Sequence, residues 1–247
     1  DERNLSEILE DEFLSSEDSI VDSELSLYDC QHAAILGIND EFLVSARLDN
    51  LLSCYVGAKA ISGAHEKNNC ILVCSDHEEV GSVSSSGADG SFLESVLNRI
   101  VGNDITQSRI MSQSLFMSCD SAHAMHPNFK SAHDDMHQPI MNEGPVIKVN
   151  AKQRYATSSL TSGFFRKLCA DAGIPMQTFV SRSDVACGST IGPIIASRLG
   201  IPTLDVGIPQ LAMHSCRETA GIEDPALLAK GLTNFFDFDG ALVIKDH

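Results

Sequence analysis

The segment Asp76-His77-Glu78-Glu79-Val80-Gly81-Ser82 follows the apolar run Ile71-Leu72-Val73-Cys74 and sets two glutamates side by side. In extended backbone, adjacent side chains point to opposite sides. In a loop they can divide two tasks, one binding a metal and the other facing a water whose proton must be removed. A solvated acidic turn explains the same residues, because Gly81 and Ser84-Ser85-Ser86-Gly87 also suit a turn. Three more polar clusters follow apolar runs. In Arg47-Leu48-Asp49-Asn50, Asp49 is either a ligand or a helix N-cap. In Cys119-Asp120-Ser121-Ala122-His123-Ala124-Met125-His126, Asp and His at a strand end suit hard or borderline cations, and an ordinary Asx turn with a surface His is the alternative. In Ala212-Met213-His214-Ser215-Cys216-Arg217-Glu218, the histidine reads by itself as a loop residue. His133 and His137 stand four apart, a spacing that can bind zinc on a helix. Their long polar loop makes them surface histidines instead.

Together, Asp49, Glu79, Asp120 and His214 form a carboxylate-rich set with one imidazole. That composition favours a pair of divalent ions over a structural zinc, which draws on Cys and His. Two such ions, about 3.5–4 Å apart, are usually bridged by a carboxylate and hydrolyse amide or phosphate bonds.

The elements that must position these residues alternate. Strands are expected at Phe42–Val44, Ile71–Cys74, Leu115–Cys119, Pro145–Val149, Thr178–Ser181 and Thr203–Val206. Ile71–Cys74, wholly apolar, reads as a strand buried on both faces. Helical patterns cover Asp49–Ile61, Phe92–Val101 and Thr157–Ala172, and Asp224-Pro225 reads as an N-cap followed by proline in the first turn. Strands alternating with helices imply an α/β, three-layer sandwich around a mixed, largely parallel central sheet. In such folds sites form beyond the strand ends, where all four clusters fall. Residues 1–40 differ: an acidic, weakly amphipathic stretch to Ser23, then strand-like apolar pieces from Leu25 to Gly37, with no core-sized pattern.

The chain has 247 residues, enough for one sizeable core, and 43% of them are hydrophobic. Its net charge of −17 argues against nucleic acid and anionic membranes as partners. No apolar run approaches the ~18–20 residues needed to cross a bilayer. The eight cysteines are scattered without a C-x-x-C pair, and read as reduced, buried, small hydrophobes of a cytoplasmic protein.

Seven strings, in this order, resemble the aspartyl aminopeptidase family of zinc metallopeptidases: Ser45–Leu51 (SARLDNL), His77–Ser82 (HEEVGS), Asp120–Asn128 (DSAHAMHPN), Gly144–Asn150 (GPVIKVN), Lys152–Ala156 (KQRYA), Cys187–Pro193 (CGSTIGP) and Met213–Glu218 (MHSCRE). The resemblance implies a peptidase using two zinc ions, or cobalt or manganese in their place. Asp49 would bridge the ions, Glu79 and His214 would bind one, and Asp120 the other. Glu78 would be the general base. His123, Lys148 and Tyr155 match positions that contact substrate or the developing oxyanion. It further implies removal of N-terminal residues from peptides, with Asp or Glu preferred. A buried Lys148 would supply the positive group that an acidic side chain needs. A homo-oligomer built from dimers is expected. One departure stands out: the family carries a further metal-binding His in a His-x-Asp motif, and the only histidine before Asp49 is His32, which follows Gln31. Residues 1–40 resemble the tail of an inserted dimerisation domain, and 41–247 a catalytic domain without its N-terminal part. That missing part is thus an expected partner. A catalytically incomplete structural or cargo relative, and a related metal-dependent deacylase, are the competing expectations.

Overall fold

The computed structural model describes residues 3–15, 17–65, 67–102 and 105–240. Their contacts divide into two units, Asp1–Cys30 and Gln31–His247. The first holds helix α1 (Leu5–Phe13), opened by a capping box in which Asn4 accepts from the Glu7 N–H and the Glu7 side chain accepts from the Asn4 N–H. No side chain of α1 is buried.

The second unit is the α/β body. Its strands are β1 (Ala34–Leu36), β2 (Phe42–Ser45), β3 (Phe116–Cys119), β4 (Ala122–His123), β5 (Val146–Val149), β6 (Gln177–Val180), β7 (Thr203–Gly207), β8 (Pro209–Leu211) and β9 (Glu218–Gly221). They form two open mixed sheets, ordered β1-β2-β9-β8-β4 and β3-β7-β5-β6. The helices are α2 (Leu48–Gly63), α3 (Phe92–Val101), α4 (Ile105–Gln113), α5 (Ser159–Asp171), α6 (Ile191–Leu199) and α7 (Asp224–Phe236).

Alternation along β7 shows how the layers arise. Leu204 and Val206 point one way, into a core shared with Leu52 and Val56 of α2, Phe165 and Cys169 of α5, and Leu228 and Leu232 of α7. Asp205 points the other way, where its carboxylate accepts from the Thr190 hydroxyl at the start of α6. A Cβ on Gly192 would collide with that carboxylate, so α6 rests on this face as closely as a glycine permits. Both faces of the sheet are thus covered by helices.

Three expectations need correction. Ile71–Cys74 is not a buried strand: it carries no ladder, and Ile71 and Leu72 are 49% and 37% exposed. A strand needs a neighbour for its N–H and C=O groups, and none lies beside this segment among the described residues. Asp224 does not cap α7. Glu223 holds the cap position, and the buried Asp224 carboxylate accepts the N–H groups of Asn142 (2.7 Å) and Gly144 (2.9 Å). Of the eight cysteines, all free, only Cys169 is buried, and Cys30, Cys74 and Cys216 are exposed. Apolar neighbours in sequence do not guarantee burial: Cys74 ends the run Ile71–Cys74, which joins no ladder.

Candidate metal centre

Asp49 stands at the start of α2, with Arg47 before it in the left-handed region (φ 60°) and its own ψ of 113° outside helical values. The helix therefore begins without an Asp cap, and the carboxylate is left free to turn inward. It is almost fully buried, with 2% of the side chain exposed. One oxygen, Oδ2, lies 3.0 Å from His214 Nε2, and Oδ1 is buried with no partner.

Glu78 and Glu79 sit on a single 3-10 turn, Glu78–Val80, held between left-handed His77 (φ 57°) and Gly81 (φ 104°). The loop behind it is stapled: the Ser82 N–H donates to His77 O (2.8 Å), and Ser84 Oγ bonds His77 Nδ1 (2.8 Å). Both side chains reach one cavity, at different partners. Glu79 Oε2 reaches His214 Nε2 at 3.0 Å, while Glu78 faces the cavity beside Asp120. His214 is itself left-handed (φ 68°), as is Ala212 (φ 55°). Backbone of this kind in non-glycine residues costs on the order of 1–2 kcal/mol each and persists where surrounding structure imposes it.

The ligand atoms of Asp49, Glu79 and His214 lie within 4.8 Å of one another. No other such cluster of His, Cys, Asp or Glu occurs among the described residues. An orphaned buried carboxylate oxygen, a second carboxylate and an imidazole nitrogen around one point fit a divalent cation. Electrostatics agree. Burial first, then the negative charges of Asp120 and Glu79, push the Asp49 carboxyl up to about 8. Glu78 is raised to about 7 by burial, Asp120 and Glu79, against the opposing pull of Lys148 and His214.

Asp120 follows β3 and donates its N–H to Val206 O, so β7 fixes it. Its Oδ2 accepts from Lys148 Nζ at 2.8 Å, and it lies outside the three-ligand cluster. Lys148 is buried. Its ammonium also donates to Ser121 O (3.0 Å) and lies 5.2 Å from the centre of the Tyr155 ring. Burial, then a hydrogen bond with Cys187, drives the Tyr155 phenol upward, so it stays protonated. Burial and the nearby Lys148 charge lower His123, which keeps it neutral. All eight residues singled out from the sequence line one cavity of about 450 Å³.

Three residues in this region were not assigned roles from sequence. Glu218 is 1% exposed, and its two oxygens accept the backbone N–H groups of Asp49 (2.8 Å) and His214 (2.6 Å). It ties together the backbones of two ligands from distant parts of the chain. Asp205 holds the Ala156 N–H (2.6 Å) and so fixes the loop bearing Tyr155. Asp205 is a charged residue inside an expected strand, Thr203–Val206, a signal that could have flagged it. His133, expected on the surface, is 8% exposed and lines the cavity. Its loop is not a regular α-helix (Phe129 has ψ 36°), so it forms no ligand pair with His137, which bonds Asp134 instead.

A carboxylate-and-imidazole cluster on the loops of an open α/β sandwich defines a candidate metal-centre protein of the α/β class. The chain belongs to the M18 family: the family model for aminopeptidase I zinc metalloproteases matches residues 2–236. It is 56% identical over 219 residues to a probable M18 family aminopeptidase 2 of Pseudomonas paraeruginosa, an alignment covering 89% of this chain and 51% of that protein. It also resembles a chain of the solved complex of Ape4 and Nbr1 (42% identity, TM-score 0.81, 85% of this chain and 42% of that one). A chain of the solved S. cerevisiae mApe1 dodecamer is similar at 30% identity and TM-score 0.75, over 85% of this chain and 49% of that one. The chain spans about half the length of the curated relatives it matches.

Proposed function

We propose that this chain carries the main metal-binding and general-base residues of a zinc-dependent aminopeptidase that releases N-terminal residues, preferentially Asp or Glu, from peptides. The convergence of Asp49, Glu79 and His214 on one point is the observation that carries the reading. Asp49 and Asp120 share the cavity, which supports a second ion beside the first, with cobalt or manganese as alternatives to zinc. Ions held there would polarise a carbonyl and make a water acidic. Glu78, half-buried beside Asp120 and facing the cavity, is the carboxylate placed to accept a proton from a water there and to return it to a leaving amine. Tyr155, kept protonated, can donate to the developing oxyanion, and neutral His123 can orient the substrate. Lys148 gives the one deeply buried positive charge of the cavity, although Asp120 already engages it.

Residues 1–40 are proposed as the tail of a dimerisation domain, and 41–247 as the catalytic body. The working enzyme is a homo-oligomer built from dimers that includes the part of the protein equivalent to the unmatched half of its relatives. Eight free thiols suit a cytoplasmic setting, and no described helix is long and apolar enough to cross a membrane. The 247-residue chain by itself is expected to be inactive or nearly so, and robust turnover by it refutes that. For the assembled enzyme, Glu78→Gln should abolish release of N-terminal residues while zinc content stays unchanged. Retained turnover removes Glu78 from the base role. Cleavage of N-acyl amino acids, with none of free N-termini, would replace the aminopeptidase reading with a deacylase.

A further inference from the structure

The Glu78–Val80 turn opens a loop, residues 76–90, that folds back on itself. Asp76 and Gly87 form a parallel bridge, and the Asp76 N–H donates to Ser86 O at 3.2 Å. Around the turn His77 (φ 57°), Gly81 (φ 104°) and Ser82 (φ 64°) are all left-handed. For His77 and Ser82 that conformation is unfavourable and persists only where other groups impose it. Backbone bonds impose part of it. The Ser82 N–H reaches His77 O at 2.8 Å, and Ser82 O accepts from the Asp89 N–H at 3.2 Å. A Cβ on Gly87 would overlap the Ser82 carbonyl, which shows how closely the two limbs approach. Arg198 of α6 anchors the far limb: its guanidinium donates to the Asp89 carbonyl and to Asp89 Oδ1 (3.0 Å), and meets Glu94 Oε2 at 3.3 Å. Ser84 joins the limbs through its side chain. Its Oγ accepts the Gly87 N–H at 2.9 Å, so its own proton is free to go to His77 Nδ1, 2.8 Å away. In the neutral ring the remaining proton then sits on Nε2, which lies 3.7 Å from Asp76 Oδ2.

We propose that Ser84 is a positioning residue: acting through His77, its hydroxyl holds the turn in the orientation that brings Glu79 to His214 and Glu78 beside Asp120. His77 is the residue immediately before the two glutamates, so any rotation of its backbone carries both of them. Without the Ser84 hydroxyl, the His77 ring loses its acceptor bond and the buried Gly87 N–H loses its partner. Left-handed His77 is then free to relax toward ordinary backbone, and Glu79 Oε2 leaves its place 3.0 Å from His214 Nε2. Ser84 is thus bonded to the turn from outside the metal cavity, which it does not line. Neighbouring Ser85 is exposed and supplies a control. For Glu79 the inference rests on the three-ligand cluster alone. For Glu78 it rests on the functional reading above.

The test compares Ser84→Ala, Ser84→Thr and Ser85→Ala with wild type. Zinc affinity is read by competition with a chromogenic chelator, and amide hydrogen exchange is read in excess chelator, both on the full chain. Turnover is read on the assembled enzyme. Ser84→Ala should bind zinc about tenfold more weakly, as for other groups that orient metal ligands. Ser84→Thr keeps the hydroxyl and should stay within about twofold of wild type, as should Ser85→Ala. Exchange at the Ser82 amide, which bonds His77 O, should quicken about tenfold in Ser84→Ala. In the assembled enzyme kcat should fall about tenfold or more, with KM within about twofold. His77→Gly fits the left-handed backbone and removes the ring, so its loss of zinc affinity and that of Ser84→Ala should not add. Additive losses overturn the relay through His77. Wild-type zinc affinity in Ser84→Ala overturns the inference whatever the turnover, and a merely structural serine would give that result with lowered stability. Unchanged exchange at Ser82 overturns it even where no variant binds zinc. Weakened zinc binding and faster exchange in Ser84→Ala, with no hydrolysis by any sample, uphold the positioning of Glu79 and remove the enzyme reading.

Discussion

Glu218→Ala should loosen the metal centre without touching any ligand side chain. Glu218 is buried, and its carboxylate is the acceptor for the Asp49 N–H at 2.8 Å and the His214 N–H at 2.6 Å. A hydrogen bond to a charged acceptor contributes about 1.5–3 kcal/mol, and a buried donor left without a partner carries its desolvation penalty. The two bonds share one residue and are not independent, so about 3–5 kcal/mol is expected rather than the full sum. That is a large share of the about 5–15 kcal/mol by which domains are stable. Glu218→Gln keeps one acceptor and presents an amide NH2 to the other N–H, so it should lose roughly half as much. Exposed Glu223→Ala is the control and should stay within about 0.5 kcal/mol. Urea unfolding in chelator reads stability. Competition with a chromogenic chelator reads zinc affinity, which should fall by about 10–100-fold in Glu218→Ala, as for other groups that orient metal ligands. Wild-type zinc affinity in a destabilised Glu218→Ala would refute the positioning role and leave Glu218 an ordinary buried acceptor.

Gly207→Ala should displace Asp120, because a Cβ there would fall inside contact distance of the Asp120 carbonyl oxygen, and strand backbone has little room to give. A loss of about 1–3 kcal/mol is expected in thermal unfolding, together with weaker zinc binding. Lys148→Met leaves the Asp120 carboxylate without its ammonium partner, at a cost of about 3 kcal/mol or more. Differential scanning calorimetry should show that saturating zinc narrows the gap from wild type. Asp205→Ala frees both the Ala156 N–H and the Thr190 hydroxyl and should cost about 3–5 kcal/mol in chemical denaturation. Its effect on zinc affinity should be small, since Asp205 touches no ligand of the three-residue cluster.

The candidate site was legible because its chemistry lies in short strings, those of Asp49, Asp120 and His214 just beyond β2, β3 and β8 and that of Glu79 on a 3-10 turn. Asp49, Glu79 and His214 were separable from their duller readings only as a set, and the structure brings these three to one point. What remained hidden was tertiary. Nothing local distinguishes the buried Glu218 in Arg-Glu-Thr-Ala from a solvated strand residue, because its partners are amides 4 and 169 residues away. His133 was misplaced for a similar reason: its loop is polar by composition, yet it folds back so that the His133 ring stands edge-on to Phe179, 6.0 Å between centres. The strand expected at Ile71–Cys74 failed differently. Its apolar pattern describes a strand with neighbours on both sides, and the described residues supply none.

These observations bear on one energetic question, how a chain of net charge −17 keeps four carboxylates around one cavity. Left without a cation, Asp49 and Glu78 are driven toward protonation by burial and by each other's neighbours. The surrounding loops hold that arrangement through left-handed residues at Arg47, His77, Ala212 and His214 and through the two Glu218 bonds. The fold therefore maintains a high-energy anionic pocket that only positive charge relieves, and Lys148 relieves it at one end only. Metal binding at such a pocket must release protons and must stabilise the fold by the same free energy. The backbone contributes this preorganisation before any ligand arrives, which is why a positioning residue such as Glu218 should weigh on metal affinity nearly as much as a ligand does.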